Sequence, residues 1–135
     1  FSTANGQAPR APGMKYRHYA PKGDLAIVRG EKDRVVDFVN EKLREAKLAG
    51  EKTGVIAASD TAERYGADVV KTSGDRRDEE VIARRLYGIL REFDDENVTR
   101  IYSESFGDEA GQGSGLGQAI MNRLLKAAGH QVISV

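Results

Sequence analysis

Two hydrophobic periods alternate along the chain. Leu25-Ala26-Ile27-Val28-Arg29 is a short apolar run with a β-branched centre, closed by Gly30, and reads as a buried strand. Residues 31–49 then place Val35, Val36, Val39, Leu43 and Ala46 on one face at helical spacing, with Gly50 suited to the helix end. A second strand is expected at Thr53-Gly54-Val55-Ile56-Ala57-Ala58-Ser59 and a short third at Asp68-Val69-Val70-Lys71. Residues 78–94 carry Ile82, Leu86, Ile89, Leu90 and Phe93 on one helical face. Val98-Thr99-Arg100-Ile101-Tyr102-Ser103 reads as a fourth strand. After a glycine-rich turn, residues 116–128 form a helix with Leu116, Ile120, Leu124 and Ala128 inward, ended by Gly129. Gln131-Val132-Ile133-Ser134-Val135 is the last strand.

Strands separated by helices of this length favour parallel pairing through right-handed crossovers. The pattern therefore predicts an α/β fold, a Rossmann-like three-layer sandwich with a mostly parallel sheet of about five strands. Its strand order does not follow from the pattern. Pro9, Pro12 and Pro21, all the prolines there are, fall before Asp24. Proline fixes φ and pushes its neighbour toward extended backbone. Residues 1–22 accordingly read as an extended arm and residues 23–135 as the packed domain.

Composition narrows the possibilities. The 135 residues fit one domain. The 21 Lys and Arg balance the 21 Asp and Glu, which argues against strong binding to nucleic acid or an anionic membrane through bulk charge. With no cysteine, a disulfide framework, a thiolate metal site and a cysteine nucleophile are excluded. His18 and His130 lie too far apart for a local histidine metal motif. No apolar run approaches the roughly 20 residues of a membrane span, and the N-terminus is no signal peptide, so the expected compartment is the cytoplasm. The start at Phe1 reads as part of a longer polypeptide.

The most unusual stretch is Lys15-Tyr16-Arg17-His18-Tyr19-Ala20-Pro21. Extended, it would turn Lys15, Arg17 and Tyr19 to one side and Tyr16 and His18 to the other. A guanidinium on such an edge suits phosphate oxygens, and the rings suit a base or an apolar substrate. A linker whose aromatics dock on the domain fits the composition equally well. The turn from Gly107 to Gly117 resembles an anion-binding loop ahead of a helix. However, its glycines are misplaced for GxGxxG, it has no Walker lysine, and Asp108 and Glu109 would repel phosphate, so close packing is its better explanation. Ser59 and Thr61, at the carboxyl end of the second strand, are placed to meet a ligand or to cap a helix starting near Thr61. Ser103-Glu104-Ser105 at the same edge reads likewise, and capping is the commoner role. Asp75-Arg76-Arg77-Asp78-Glu79-Glu80 reads as a solvated helix start with acids at its positive end. No catalytic residue is singled out by spacing.

Two segments carry a family resemblance. Ala11-Pro12-Gly13-Met14-Lys15-Tyr16-Arg17-His18-Tyr19-Ala20-Pro21-Lys22 resembles the interdomain linker of the two-domain (Sua-type) threonylcarbamoyl-AMP synthases. Gly115-Leu116-Gly117-Gln118-Ala119-Ile120-Met121-Asn122-Arg123-Leu124-Leu125-Lys126-Ala127-Ala128 resembles the closing helix of their C-terminal domain. The resemblance implies a nucleotidyltransferase parent that makes L-threonylcarbamoyl-AMP and pyrophosphate from ATP, L-threonine and bicarbonate, for the threonylcarbamoyladenosine modification of tRNA. Catalysis, with ATP and its Mg, would belong to a YrdC-like domain of the same polypeptide, for which this chain has no room. No catalytic residue is then expected in this segment, which alone should be inactive. Arg17 would contact ATP phosphates or the adenylate, while Lys15, Tyr16, His18 and Tyr19 line or close the pocket and the C-terminal domain contributes Ser59 or its neighbours. Such an arm would exclude water from a labile intermediate and stabilise charge on the departing pyrophosphate. Two other functions remain open: a module recruiting tRNA or a downstream tRNA-modification enzyme, and an independent nucleotide-binding domain.

Overall fold

The structure is a computed structural model and describes residues 21–106 and 115–135. Among the described residues, five strands and three helices follow in the order β1 (Asp24–Arg29), α1 (Lys32–Leu48), β2 (Thr53–Ala58), β3 (Val69–Gly74), α2 (Glu79–Asp95), β4 (Arg100–Glu104), α3 (Gly115–Ala127) and β5 (Val132–Ser134). The sheet is parallel throughout, in the order β3-β2-β4-β1-β5. β3 runs three residues further than the apolar pattern predicted, because Thr72, Ser73 and Gly74 continue the pairing with β2 through a register shift beside Ala57 and Ala58. Where a helix was expected from Thr61, only the short 3₁₀ turn Ala62–Arg64 forms.

Period-two alternation sorts the core into two layers. Leu25, Ile27, Ile56, Ala58 and Ile101 face α2 and α3, where they meet Ile82, Leu86, Phe93, Ile120 and Leu124. Ala26, Val28, Val55, Ala57 and Tyr102 face α1, where they meet Val35, Val36, Val39 and Leu43. Local signals start both long helices. Glu31 accepts the Arg34 N–H ahead of α1, and Asp78 accepts the Val81 N–H ahead of α2.

One close approach limits the sequence. A Cβ on Gly54 would lie 2.6 Å from Phe93 Cε1 and 2.9 Å from Val98 Cγ1. Gly54→Ala is therefore expected to cost about 1–3 kcal/mol through overpacking, read as a lower urea midpoint at unchanged slope.

Strand order decides where a ligand could gather. β1 and β4 are neighbours, paired from Asp24–Arg100 to Val28–Glu104. The helix after β1 lies on one face of the sheet and the helix after β4 on the other. Their carboxyl ends therefore bound the crevice at the switch point of the sheet, the usual place for ligands in parallel α/β folds.

Candidate functional site

A cleft of about 220 Å³ opens at that switch point, lined by Val28, Arg29, Gly30, Lys32, Val35, Arg76, Glu104 and Ser105. Gly30 has a φ of +145°, and a Cβ there would lie 2.5 Å from the Val135 carbonyl oxygen, so only glycine fits at this wall.

Glu104 ends β4 and is only 5% exposed. Its Oε1 accepts from the Ala58 N–H at 3.1 Å and from Arg76 Nη2 at 3.0 Å. Its Oε2 accepts from the Thr61 hydroxyl at 2.5 Å and the Tyr65 hydroxyl at 2.6 Å. A carboxylate offers about four acceptor positions, so these four donors occupy it fully. That makes Glu104 an organiser and not a general base. It ties together the end of β2, the turn after it, the loop ahead of α2 and the end of β4. Burial, and then the bond to Glu104, push the Tyr65 hydroxyl well above the ordinary tyrosine range.

Arg76 also grips Asp60, with Nη2 2.9 Å from Oδ1 and Nε 3.3 Å from Oδ2. Lys32 Nζ meets the same carboxylate at 3.0 Å. Hydrogen bonding from Arg76, assisted by Lys32, lowers the Asp60 carboxyl from 3.8 to about 2. A depressed folded-state value stabilises the fold above the unfolded one and is lost as pH falls through the folded one. The gap in melting temperature between the unaltered protein and Asp60→Asn should hold from neutral pH to about 4, then close by about pH 2.

Ser59, expected to cap or to contact substrate, is exposed at the end of β2, and its N–H donates to the Gly74 carbonyl at 2.8 Å. Thr61 does not cap, since its hydroxyl is drawn to Glu104 instead. Ser103 donates to the Glu104 carbonyl, and the Ser105 hydroxyl lies 3.6 Å from Met121 Sδ. Lys15, Tyr16, Arg17, His18 and Tyr19 lie outside the described residues, as does the turn from Gly107 to Ser114. Arg76, read as part of a solvated helix start, instead reaches inward. The missed signal was an acid ending the apolar run of β4, where a buried charge requires donors. Among the described residues, no group of three or more His, Asp or Glu is arranged to hold a metal ion. No described helix is long and apolar enough to cross a membrane.

Comparison with known proteins places the chain in a family. The family described as threonylcarbamoyl-AMP synthase, C-terminal domain, matches residues 2–129. The chain belongs to that family. Threonylcarbamoyl-AMP synthase of Bacillus subtilis is 43% identical to this C-terminal domain over 127 residues, covering 94% of the chain and 34% of the relative. The synthase of Pyrococcus abyssi is 41% identical over 126 residues, covering 93% and 34%. The chain thus spans about a third of the length of these curated relatives. Among solved structures, P. abyssi Sua5 in complex with L-threonine is 41% identical, with a TM-score of 0.73 over 100% of this chain and 35% of that one. A P. abyssi Sua5 variant with an adjacent His and Tyr changed to Ala also matches all of the chain and 34% of its own length, with 39% identity and a TM-score of 0.73. The C-terminal Sua5 domain from Pyrococcus horikoshii is 30% identical, with a TM-score of 0.65 over 86% of this chain and 100% of that one.

Proposed function

We propose that this chain is the accessory part of an L-threonylcarbamoyladenylate synthase, with residues 1–22 as an arm and residues 23–135 as the domain that carries it. The supporting observation is the match of residues 2–129 to the C-terminal domain of a family whose relatives are about three times as long. In this reading the parent protein works in the cytoplasm, joining ATP, L-threonine and bicarbonate for tRNA modification. A YrdC-like domain of the same polypeptide performs the chemistry. Magnesium on the nucleotide would be held there too, since the one buried carboxylate in the cleft, Glu104, has no acceptor position left.

The arm reaches the nucleotide from outside. Arg17 meets its phosphates with paired charge-assisted bonds, Lys15 adds a second cation, and Tyr16, His18 and Tyr19 close over the site. An independent nucleotide site in the switch-point cleft fits less well. The cleft of about 220 Å³ falls below the roughly 300–1,000 Å³ of drug-sized ligand pockets. Arg17→Ala in the full-length parent should lower kcat/KM for ATP by about 10- to 100-fold, the loss of one charged hydrogen-bonding group. Unchanged kcat and KM would sink the arm's role.

A further inference from the structure

The cleft at the switch point has donors that the Glu104 network leaves over. Arg76 directs Nε and Nη2 to Asp60, Thr61 and Glu104, while Nη1 has no partner among the described residues. Lys32, half exposed, bonds only Asp60 through Nζ among the described residues. Three cations and one saturated carboxylate line the space, and Val28 and Val35 form an apolar wall. Asp60 does not line the cleft. It clamps the two cations from outside, where a carboxylate already sits across Arg76 and Lys32 as a bound anion would.

We propose that this cleft binds a phosphate-sized oxyanion, either free phosphate or the phosphate of a small ester, between Lys32 and Arg76. The volume of about 220 Å³ suits such a ligand and is too small for a whole nucleotide. Hydrogen bonds from Arg76 and then Lys32 hold the Asp60 carboxyl down at about 2, so these two groups already pair with one anion. Asp60 then acts as a built-in competitor: anion binding draws on the same two cations, so removing its charge strengthens binding. The proposal does not depend on the role proposed for Arg17.

The test is a titration of the full chain with inorganic phosphate, and separately with glycerol phosphate, at constant ionic strength. Amide resonances of Gly30 and Ser105 report the cleft. Saturable shifts at millimolar concentration are expected with at least one of the two, and the tighter ligand identifies the source. Lys32→Gln, an exposed change that spares the Glu104 network, should weaken binding about tenfold, as the loss of one charged contact. Asp60→Asn should tighten it severalfold. Unmoved amides with both ligands, or equal affinity in Lys32→Gln and the unaltered chain, would overturn the proposal.

Discussion

Glu104→Ala is expected to destabilise the domain by about 3–5 kcal/mol, lowering its melting temperature by on the order of 10–20 °C. The size follows from what remains behind. Truncation leaves the Arg76 guanidinium without one of its two anionic partners, the Ala58 N–H and the Tyr65 hydroxyl without their acceptor, and the Thr61 hydroxyl with only the longer bond to the Ala58 carbonyl at 3.4 Å. Buried donors stripped of an acceptor incur their desolvation cost in full. Glu104→Gln separates charge from shape. Its amide oxygen can face Arg76 and the Ala58 N–H, while its NH₂ faces two hydroxyls that can rotate to accept. The amide should therefore cost less than half as much as alanine. Equal losses for the two variants would mean that side-chain charge, rather than donor satisfaction, holds this edge together. Tyr65→Phe, which removes a single donor, should cost about 1–2 kcal/mol in the unaltered protein. It should cost less beside Glu104→Gln, because the two residues share one bond.

Local periodicity made the layers of this fold legible. Val35, Val36, Val39, Leu43 and Ala46, grouped by helical spacing alone, are the residues α1 buries. Ile82, Leu86, Ile89, Leu90 and Phe93 are likewise the buried residues of α2. Each of these groupings depends on neighbours within a few positions, so sequence spacing carries it. The Glu104 network depends on separations of 28 to 46 positions and on β2 and β4 lying side by side. No periodicity encodes that adjacency. Arg76 looked solvated because its neighbours in sequence are charged, whereas its partners Asp60 and Glu104 arrive from the turn after β2 and the end of β4. Thr61 looked like a cap for the same reason: a hydroxyl ahead of a turn is locally ambiguous until a buried carboxylate claims it. The family resemblance came from segments at the two ends of the chain, and the match over residues 2–129 agrees with it. The contacts proposed for Arg17 and its neighbours need a second domain, which no local pattern can supply.

Phe93→Ala is the second large effect, expected at about 3–5 kcal/mol. Phe93 is fully buried in the layer between the sheet and α2, and its ring edge fills the space that a side chain at position 54 would need. Truncating it opens a cavity whose floor is the bare backbone of Gly54 on β2. A methyl group at position 54 clashes with the ring in the unaltered protein but partly fills that cavity once the ring is gone. The two changes should therefore not add. Gly54→Ala is expected to cost less beside Phe93→Ala than alone, the approach to Val98 Cγ1 at 2.9 Å remaining, with a coupling of about 1–3 kcal/mol in a double-mutant cycle. Strict additivity in urea unfolding would mean that the ring and the glycine are not matched to each other, and that Gly54 serves strand pairing alone. Coupling would show that the bare position near the start of a buried strand is there to admit the ring, which ties β2 to α2 at the end of the sheet opposite the cleft.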